Sequence, residues 1–193
     1  MKLKSTLIVF GMALFAGVAA QAQTSTWTID PAHSSASFSI RHMGVSTVHG
    51  SLTGLKGAVT LDEKNITKSK VAATADTTTV STGVDKRDGH LKSPDFFDVA
   101  KFPTISFKST MVMNSGGKLQ VMGDLTLDGV TKNVTLDLDG PAPAQKGPNG
   151  TTISGFSATG IIKRSDFGFG PKFAPPVLGD EVKFTIDIEM DKQ

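Results

Sequence analysis

Apolar and polar residues alternate with a period of two along most of this chain, the mark of half-buried β-strands. Trp27 and Ile29 alternate with Thr26 and Thr28 in a first strand that Asp30-Pro31 ends. From Ser34 to His42, Ala36, Phe38, Ile40 and His42 share one face, and Ser35, Ser37, Ser39 and Arg41 take the other. Gly44 and Gly50 bracket a turn, and Leu55, Val59 and Leu61 then alternate with Lys56, Thr60 and Asp62. Further on, Ile105, Phe107, Met111 and Met113 are expected on one face, with Thr104, Ser106, Lys108 and Thr110 opposite. Asn114-Ser115-Gly116-Gly117 and Asp128-Gly129 read as hairpin turns, the second as type I′. Leu119, Val121, Leu125 and Leu127 precede that second turn, and Val134, Leu136 and Leu138 follow it. Phe156, Ala158 and Ile162 belong to another strand, with Arg164 in the same parity. The last strand is the cleanest, Val182, Phe184, Ile186, Ile188 and Met190 alternating with Lys183, Thr185, Asp187 and Glu189.

About eight strands joined by turns predict an all-β chain, an antiparallel barrel or a sandwich. The apolar face either fills a solid core or lines a barrel wide enough for one small ligand. Ala36, Ala158, Gly123 and Gly160 fall among the large residues of that face, and small inward residues leave room.

The alternation stops between Thr77 and Phe107. Asp85, Lys86, Arg87 and Asp88 come first, then His90-Leu91 and Ser93-Pro94-Asp95-Phe96-Phe97-Asp98. Ser93 is a good N-cap, Pro94 suits the first helical position, and Asp95 favours the positive end of a helix dipole. Asp88 and Lys92, four apart, support a helical turn just upstream. Gly89 and Pro103 keep any helix short. One or two short helices therefore interrupt the strands, either as a lid carrying two phenylalanines over a barrel mouth or as a plug that closes the barrel end. Gly140–Gly150 and Ser165–Gly179 are the other irregular stretches.

At the N-terminus, Lys2 and Lys4, an apolar run from Thr6 to Ala20 and Ala20-Gln21-Ala22 form a secretory leader. Cleavage is expected after Ala22 or Ala20, leaving residues 23–193 as one domain, exported, soluble and with no stable membrane insertion. The chain carries 20 basic and 18 acidic residues, and the leader removes only Lys2 and Lys4, so the exported chain is formally neutral. Interleaved opposite charges argue against a nucleic-acid partner, which demands a basic face. With no cysteine there is no disulfide frame and no thiolate metal site. Roughly 170 residues suffice to build a core without either.

No G-x-S-x-G elbow, Walker loop or H-E-x-x-H occurs, and no cofactor motif. A chain reversal around Val45-Ser46 would set His42 against His49, two imidazoles able to bind a divalent metal with help from His33 or a carboxylate. The bland alternative is a hydrogen-bonded His42 lining the barrel. Asp85, Arg87, Asp88 and His90 have the residue types of acid–base machinery but no nucleophile in fixed register, and salt-bridged structural charges read as well. Of the adjacent Phe96 and Phe97, one packs into the core while the other either lines an opening or is also wedged under the lid.

Several blocks in order carry a resemblance. They are Ile29-Asp30-Pro31-Ala32-His33-Ser34, Phe38-Ser39-Ile40-Arg41-His42, Gly44-Val45-Ser46, Lys86-Arg87-Asp88 with His90-Leu91, and Asp95-Phe96-Phe97-Asp98. Phe102-Pro103, Phe107-Lys108-Ser109, Gly123-Asp124-Leu125-Thr126, Gly129-Val130-Thr131-Lys132, Lys163-Arg164-Ser165-Asp166-Phe167-Gly168 and Gly179-Asp180-Glu181-Val182 complete the set. Across nearly all of residues 23–193 the chain resembles the YceI-like lipid/polyisoprenoid-binding family. It departs mildly from that pattern at Thr79 and Ser81, and at His49, where arginine or another polar residue is common. Gly170–Leu178 falls where the family varies and would adjust the tunnel entrance.

The resemblance implies a lipocalin-like extended antiparallel barrel with a long apolar tunnel, holding an isoprenoid-tailed lipid of polyprenyl or quinone type in the bacterial periplasm. On that reading the protein is a non-enzymatic carrier or store. Phe38, Ile40, Phe107, Phe156, Phe184 and Ile186 are expected to line the tunnel, Phe96 and Phe97 to form its lid, and Arg87, His90 and Arg164 to hold the head group. No metal or cofactor is assigned. A metal-binding protein using His42 and His49 and a stress-response domain with a filled core are the competing readings, and a homodimer is among the assemblies the sequence allows.

Overall fold

The computed structural model describes residues 24–193; the leader and its cleavage sites lie outside the described residues. The chain forms β1 (Thr24–Ile29), β2 (Ser35–His42), β3 (Ser46–Leu52), β4 (Lys56–Asp62), β5 (Lys70–Asp76), α1 (Asp85–Leu91) and β6 (Thr104–Ser115). There follow β7 (Lys118–Leu127), β8 (Val130–Asp139), the two-residue β9 (Gln145–Lys146), β10 (Thr152–Lys163) and β11 (Leu178–Lys192). All ladders are antiparallel. Eight strands, β11-β1-β4-β5-β6-β7-β8-β10, close on themselves because β10 returns to pair with β11 from Ile153↔Asp191 to Lys163↔Glu181. The fold is therefore a closed antiparallel barrel with one α-helix, not a sandwich.

The long β11 serves two partners on its other edge. Its first part pairs with β2, from Leu178↔His42 to Asp187↔Ser35, and its end pairs with β1. β1 and β2 are thus one barrel position broken at Asp30–Ser34. Ser34, 4% exposed, mends the break with its side chain. Its hydroxyl donates to Glu189 O at 3.2 Å and accepts from Glu189 N at 3.0 Å, while Asp30 N also reaches Glu189 O at 2.9 Å. β3 and β4 are broken in the same way, and beyond β2 the outer edge of β3 is bridged, among the described residues, only at Ser51, by Ser81. Residues 77–103 pack beside that gap, with Thr82 against Gly50 and Val80 against Leu52.

Inward positions keep the expected parity with one exception. Between Ser109 and Met111 the β6–β7 register shifts by a bulge, so Met111 is 55% exposed and Val112 is buried. One extra residue flips every later side chain to the other face, which overturns the expected inward placement of both Met111 and Met113; Met113 pairs with Gln120 on the outer face. Gly50 is also not part of a turn. The reversal is His42–Val45, closed by Val45 N to His42 O at 3.0 Å, and Gly50 pairs with Phe38 inside the sheet. A Cβ there would lie 2.3 Å from Phe38 Cζ; Gly123 and Gly160 stand in the same relation to Phe107 and Phe184. The glycines do not leave voids themselves. They let three rings lie against the barrel wall, so ring thickness rather than ring length enters the lumen.

The helix lies upstream of the expected cap. Ser93-Pro94 begins only a single turn, closed by Phe96 N and Asp98 N on Ser93 O, while the helical residues are Asp85–Leu91. No helix of the described residues is long and apolar enough to cross a membrane. Outward positions of β8, β10 and β11 carry Asp137, Asp139, Thr159, Lys183, Asp187 and Glu189, so the barrel is polar outside and apolar inside.

Candidate functional site

The barrel is packed at one end and hollow above it. Trp27, Ile29, Leu55, Val59, Ile188 and Met190 fill the packed end. Above them lies a cavity of about 530 Å³, walled by Ala36, Phe38 and Ile40 of β2, Ala73 and Ala75 of β5, Ile105 and Phe107 of β6, Leu125 of β7, Ile162 of β10 and Val182, Phe184 and Ile186 of β11. Phe38, Ile40, Ile105, Phe107, Phe184 and Ile186 point inward yet are only half-buried, because the space they face is unfilled. The volume is within the ~300–1,000 Å³ of sites that engulf a small ligand. Polar groups collect at the far end of β2 and at α1, where His42, Ser46, Arg87 and His90 line the cavity.

Two loops close over that end. Phe96 stacks on Phe173 with ring centroids 5.1 Å apart, and Phe97 meets Phe169 edge-on at 4.8 Å. His90 stands edge-on to Phe96 and Phe173 at 5.1 and 5.5 Å. A Cβ at Gly170 would lie 2.7 Å from the Phe96 ring, so glycine lets the loops meet. The adjacent phenylalanines do split: Phe97 packs with Leu52, Val80, Leu127 and Phe167, while Phe96 belongs to the seam between the loops. Lys172 Nζ clamps this seam to Asp95 Oδ1 at 2.6 Å, and His90 Nε2 lies 3.1 Å from Asp95 Oδ2.

Lys172 first and His90 second hold the Asp95 carboxyl below its ordinary pKa. A depressed carboxyl contributes fully above its unfolded value, and the contribution is lost as pH falls through the folded one. Acidification through the carboxylate range, below about pH 4, is therefore expected to loosen the seam. Amide exchange of Phe169–Phe173, corrected for intrinsic rates, should quicken there, and in Lys172→Met it should be fast at neutral pH as well. Exchange unchanged in both would rule the clamp out.

Arg164 is placed inside, as its parity implies, but not free. It is 4% exposed, and its five N–H donors meet five main-chain carbonyls. Nε donates to Gly179 O at 2.9 Å, Nη1 to Phe169 O and Gly170 O at 2.9 and 2.8 Å, and Nη2 to Leu178 O at 3.1 Å and to Phe173 O. The guanidinium is the hub on which residues 164–179 are wound. No donor is left over for a head group, which corrects the expectation set by residue type alone.

Arg87 differs. Nε donates to Thr82 Oγ1 at 2.7 Å and Nη2 to Thr82 O at 3.0 Å, leaving Nη1 without a protein acceptor among the described residues. Asp88 does not take it: that carboxylate accepts from Thr82 N at 2.8 Å and from the Thr82 hydroxyl, and these bonds hold its pKa down. Arg87 forms no ion pair among the described residues.

Of the twelve residues singled out from sequence, Phe38, Ile40, His42, Arg87, His90, Phe96, Phe97, Phe107, Arg164, Phe184 and Ile186 all border the cavity. Phe156 does not; it packs on the cluster at the closed end, opposite Ile188. His42 and His49 cannot share a metal, because His42 pairs with Ser46 and His49 with Ser39, placing the imidazoles on opposite sheet faces. His33 lies elsewhere, at the β1–β2 break, with Nδ1 2.6 Å from Asp30 Oδ2 and 3.6 Å from Glu189 Oε1. Asp30, then Glu189, raise its pKa. Ala73, Ala75, Phe169 and Phe173 were missed: two are small residues in an Ala/Thr-rich strand, and two reach the cavity only through the winding of their loop.

Known proteins share this fold. The YceI-like domain family matches residues 27–190. A UPF0312 protein of Vibrio parahaemolyticus is 35% identical over 192 residues, 98% of each chain. Protein YceI of Salmonella arizonae is 36% identical over 189 residues, 97% of each. A crystal structure of the Campylobacter jejuni YCEI protein superposes with TM-score 0.70 at 30% identity, over 80% of this chain and 90% of that one. A polyisoprenoid binding domain from Saccharophagus degradans shares the fold at TM-score 0.63 and 15% identity, over 86% and 98% of the two chains.

Proposed function

This chain belongs to the YceI-like family, and on that premise we propose that it holds one apolar-tailed lipid, of polyprenyl or quinone type, inside its barrel, as a carrier or store in the bacterial periplasm. The observation that carries this reading is a closed barrel whose inward aliphatic and aromatic residues face unfilled space instead of one another. Each methylene taken from water into such a space gains about 0.8 kcal/mol, so ten methylene equivalents gain about 8 kcal/mol before association costs. The likeness of fold to a polyisoprenoid binding domain from Saccharophagus degradans supports the reading. The leader read from residues 1–22 supports export.

Binding suits the mouth better than turnover does. Asp95 orients His90, yet among the described residues no hydroxyl is hydrogen-bonded to that imidazole to be activated as a nucleophile. Arg87, whose Nη1 has no acceptor among the described residues and which borders the apolar cavity, suits an anionic or carbonyl-bearing head.

Delivering lipids in detergent to protein freed of its contents tests the reading. Affinity is expected to rise with tail length until the cavity is full. Arg87→Ala should weaken an anionic-headed lipid about tenfold, the worth of one charge-assisted hydrogen bond, and a neutral-headed one far less. Affinity indifferent to tail length would contradict the tunnel; equal loss for both heads would contradict the role of Arg87.

A further inference from the structure

Among the described residues six large apolar side chains are left exposed: Met43, Val45, Val84, Met111, Ile161 and Val177. Four of the six are not scattered. Met43 and Val45 form the tip of the β2–β3 hairpin, Val84 caps the start of α1, and Val177 precedes β11, and these three segments also supply His42, Ser46, Arg87, His90 and Leu178 to the cavity mouth. The hairpin tip is tied to the third segment by Met43 N to Val177 O at 3.1 Å.

The tip is also built against local preference. Both central residues of the His42–Val45 turn have left-handed φ, 53° at Met43 and 68° at Gly44. Asparagine, aspartate or glycine takes that conformation cheaply, and Asp128 does so with φ 51° in the β7–β8 turn. A methionine there costs conformational energy and, at 50% exposed, gains little packing; Val45 at 82% exposed gains still less. Along residues 41–46 and 84–92, the segments that carry three of the four tips, Arg41, Lys86, Arg87 and Lys92 outnumber Asp85 and Asp88, while Lys172, ahead of the third segment, is paired with Asp95 at 2.6 Å.

We propose that Met43, Val45, Val84 and Val177 form a docking rim that seats the tunnel mouth on an anionic lipid bilayer, so that a tail passes between membrane and barrel without crossing water. Apolar tips flanked by cations, as on the hairpin and at the start of α1, are suited to the headgroup–acyl boundary of such a surface. The choice of a bilayer as occupant rests on the proposed lipid cargo and on the continuity of the rim with the mouth through Val177, which is both exposed and part of the cavity wall.

The test uses vesicles of phosphatidylethanolamine with about a quarter phosphatidylglycerol, at low and high salt. The wild-type protein is expected to float with the vesicles, less so as salt rises. Met43→Asp/Val45→Asp, which suits the left-handed turn and replaces no side chain that lines the cavity, should reduce the floating fraction and the rate of lipid uptake from vesicles roughly tenfold or more. Lipid delivered in detergent should still fill this variant as it fills the wild type. Lys86→Glu should mimic the loss at low salt only. Equal flotation of wild type and double variant, or none by either, overturns the rim whatever the cargo proves to be. A variant that changes oligomeric state in light scattering without changing flotation makes the rim a contact between copies and overturns the membrane assignment. Protein that floats but takes up no lipid from detergent leaves the rim standing and removes the tunnel reading.

Discussion

Arg164→Ala is expected to lose about 3–5 kcal/mol of stability, because it leaves five carbonyls of the 164–179 loop without their donors in a place where water reaches poorly. For a domain of this size that corresponds to a fall in Tm of roughly 10 °C. Amide exchange should speed first in residues 165–179 and then, through Phe169 and Phe173, in the turn holding Phe96 and Phe97. Arg164→Lys should recover only part of the loss, since an ammonium has three donors on a point and cannot span the carbonyls that a planar fork meets. A variant that melts like the wild type but has lost its lipid would return Arg164 to the head-group role and refute the structural one.

Ala75→Phe should abolish binding of a long tail while sparing the fold. Ala75 packs against both the closed-end cluster and the cluster beneath the lid, so a ring there would stand across the middle of the cavity. Because it grows into open space, the overpacking cost should stay at or below the usual ~1–3 kcal/mol. Affinity for a long isoprenoid tail is expected to fall at least tenfold, and a short tail that stops above the ring should still bind. If long-tail affinity is unchanged and the melting profile is intact, the tail does not run through this cavity.

Much of this architecture was legible because period-two alternation reports which face of a strand is buried, and β11 keeps it without a break from Val182 to Met190. The parts that were not legible have physical reasons. The bulge at Thr110 adds one residue without any change of composition, so Met111 and Val112 exchange faces with no marker in the sequence. Gly50 has two uses, turn and close approach, and only the register with Phe38 tells them apart. The separation of His42 from His49 depended on the same register, since reversal around Val45-Ser46 and the observed pairing of His42 with Ser46 place His49 on different faces. Ser93-Pro94-Asp95 has the composition of a helix start, but the chain must turn at once to set Phe96 against Phe173 and Phe97 under Phe169. At Arg164 the sequence carried half of the answer. Its parity put a cation inside the barrel, and an inward cation must find acceptors; those acceptors are main-chain carbonyls of an irregular loop, which residue type does not announce. The mouth was legible for the same reason as the strands, since His42 continues the parity of Ala36, Phe38 and Ile40.

The central claim is that the half-buried inward side chains face space meant for a lipid tail. Native mass spectrometry of the protein purified from the cells that make it, with organic extraction of what it holds, tests that claim most directly. The expected result is one bound molecule per chain, whose extracted mass belongs to an isoprenoid series and whose loss accompanies Ala75→Phe. Protein that is reproducibly empty, and that stays empty when offered polyprenyl lipids in detergent, would contradict it.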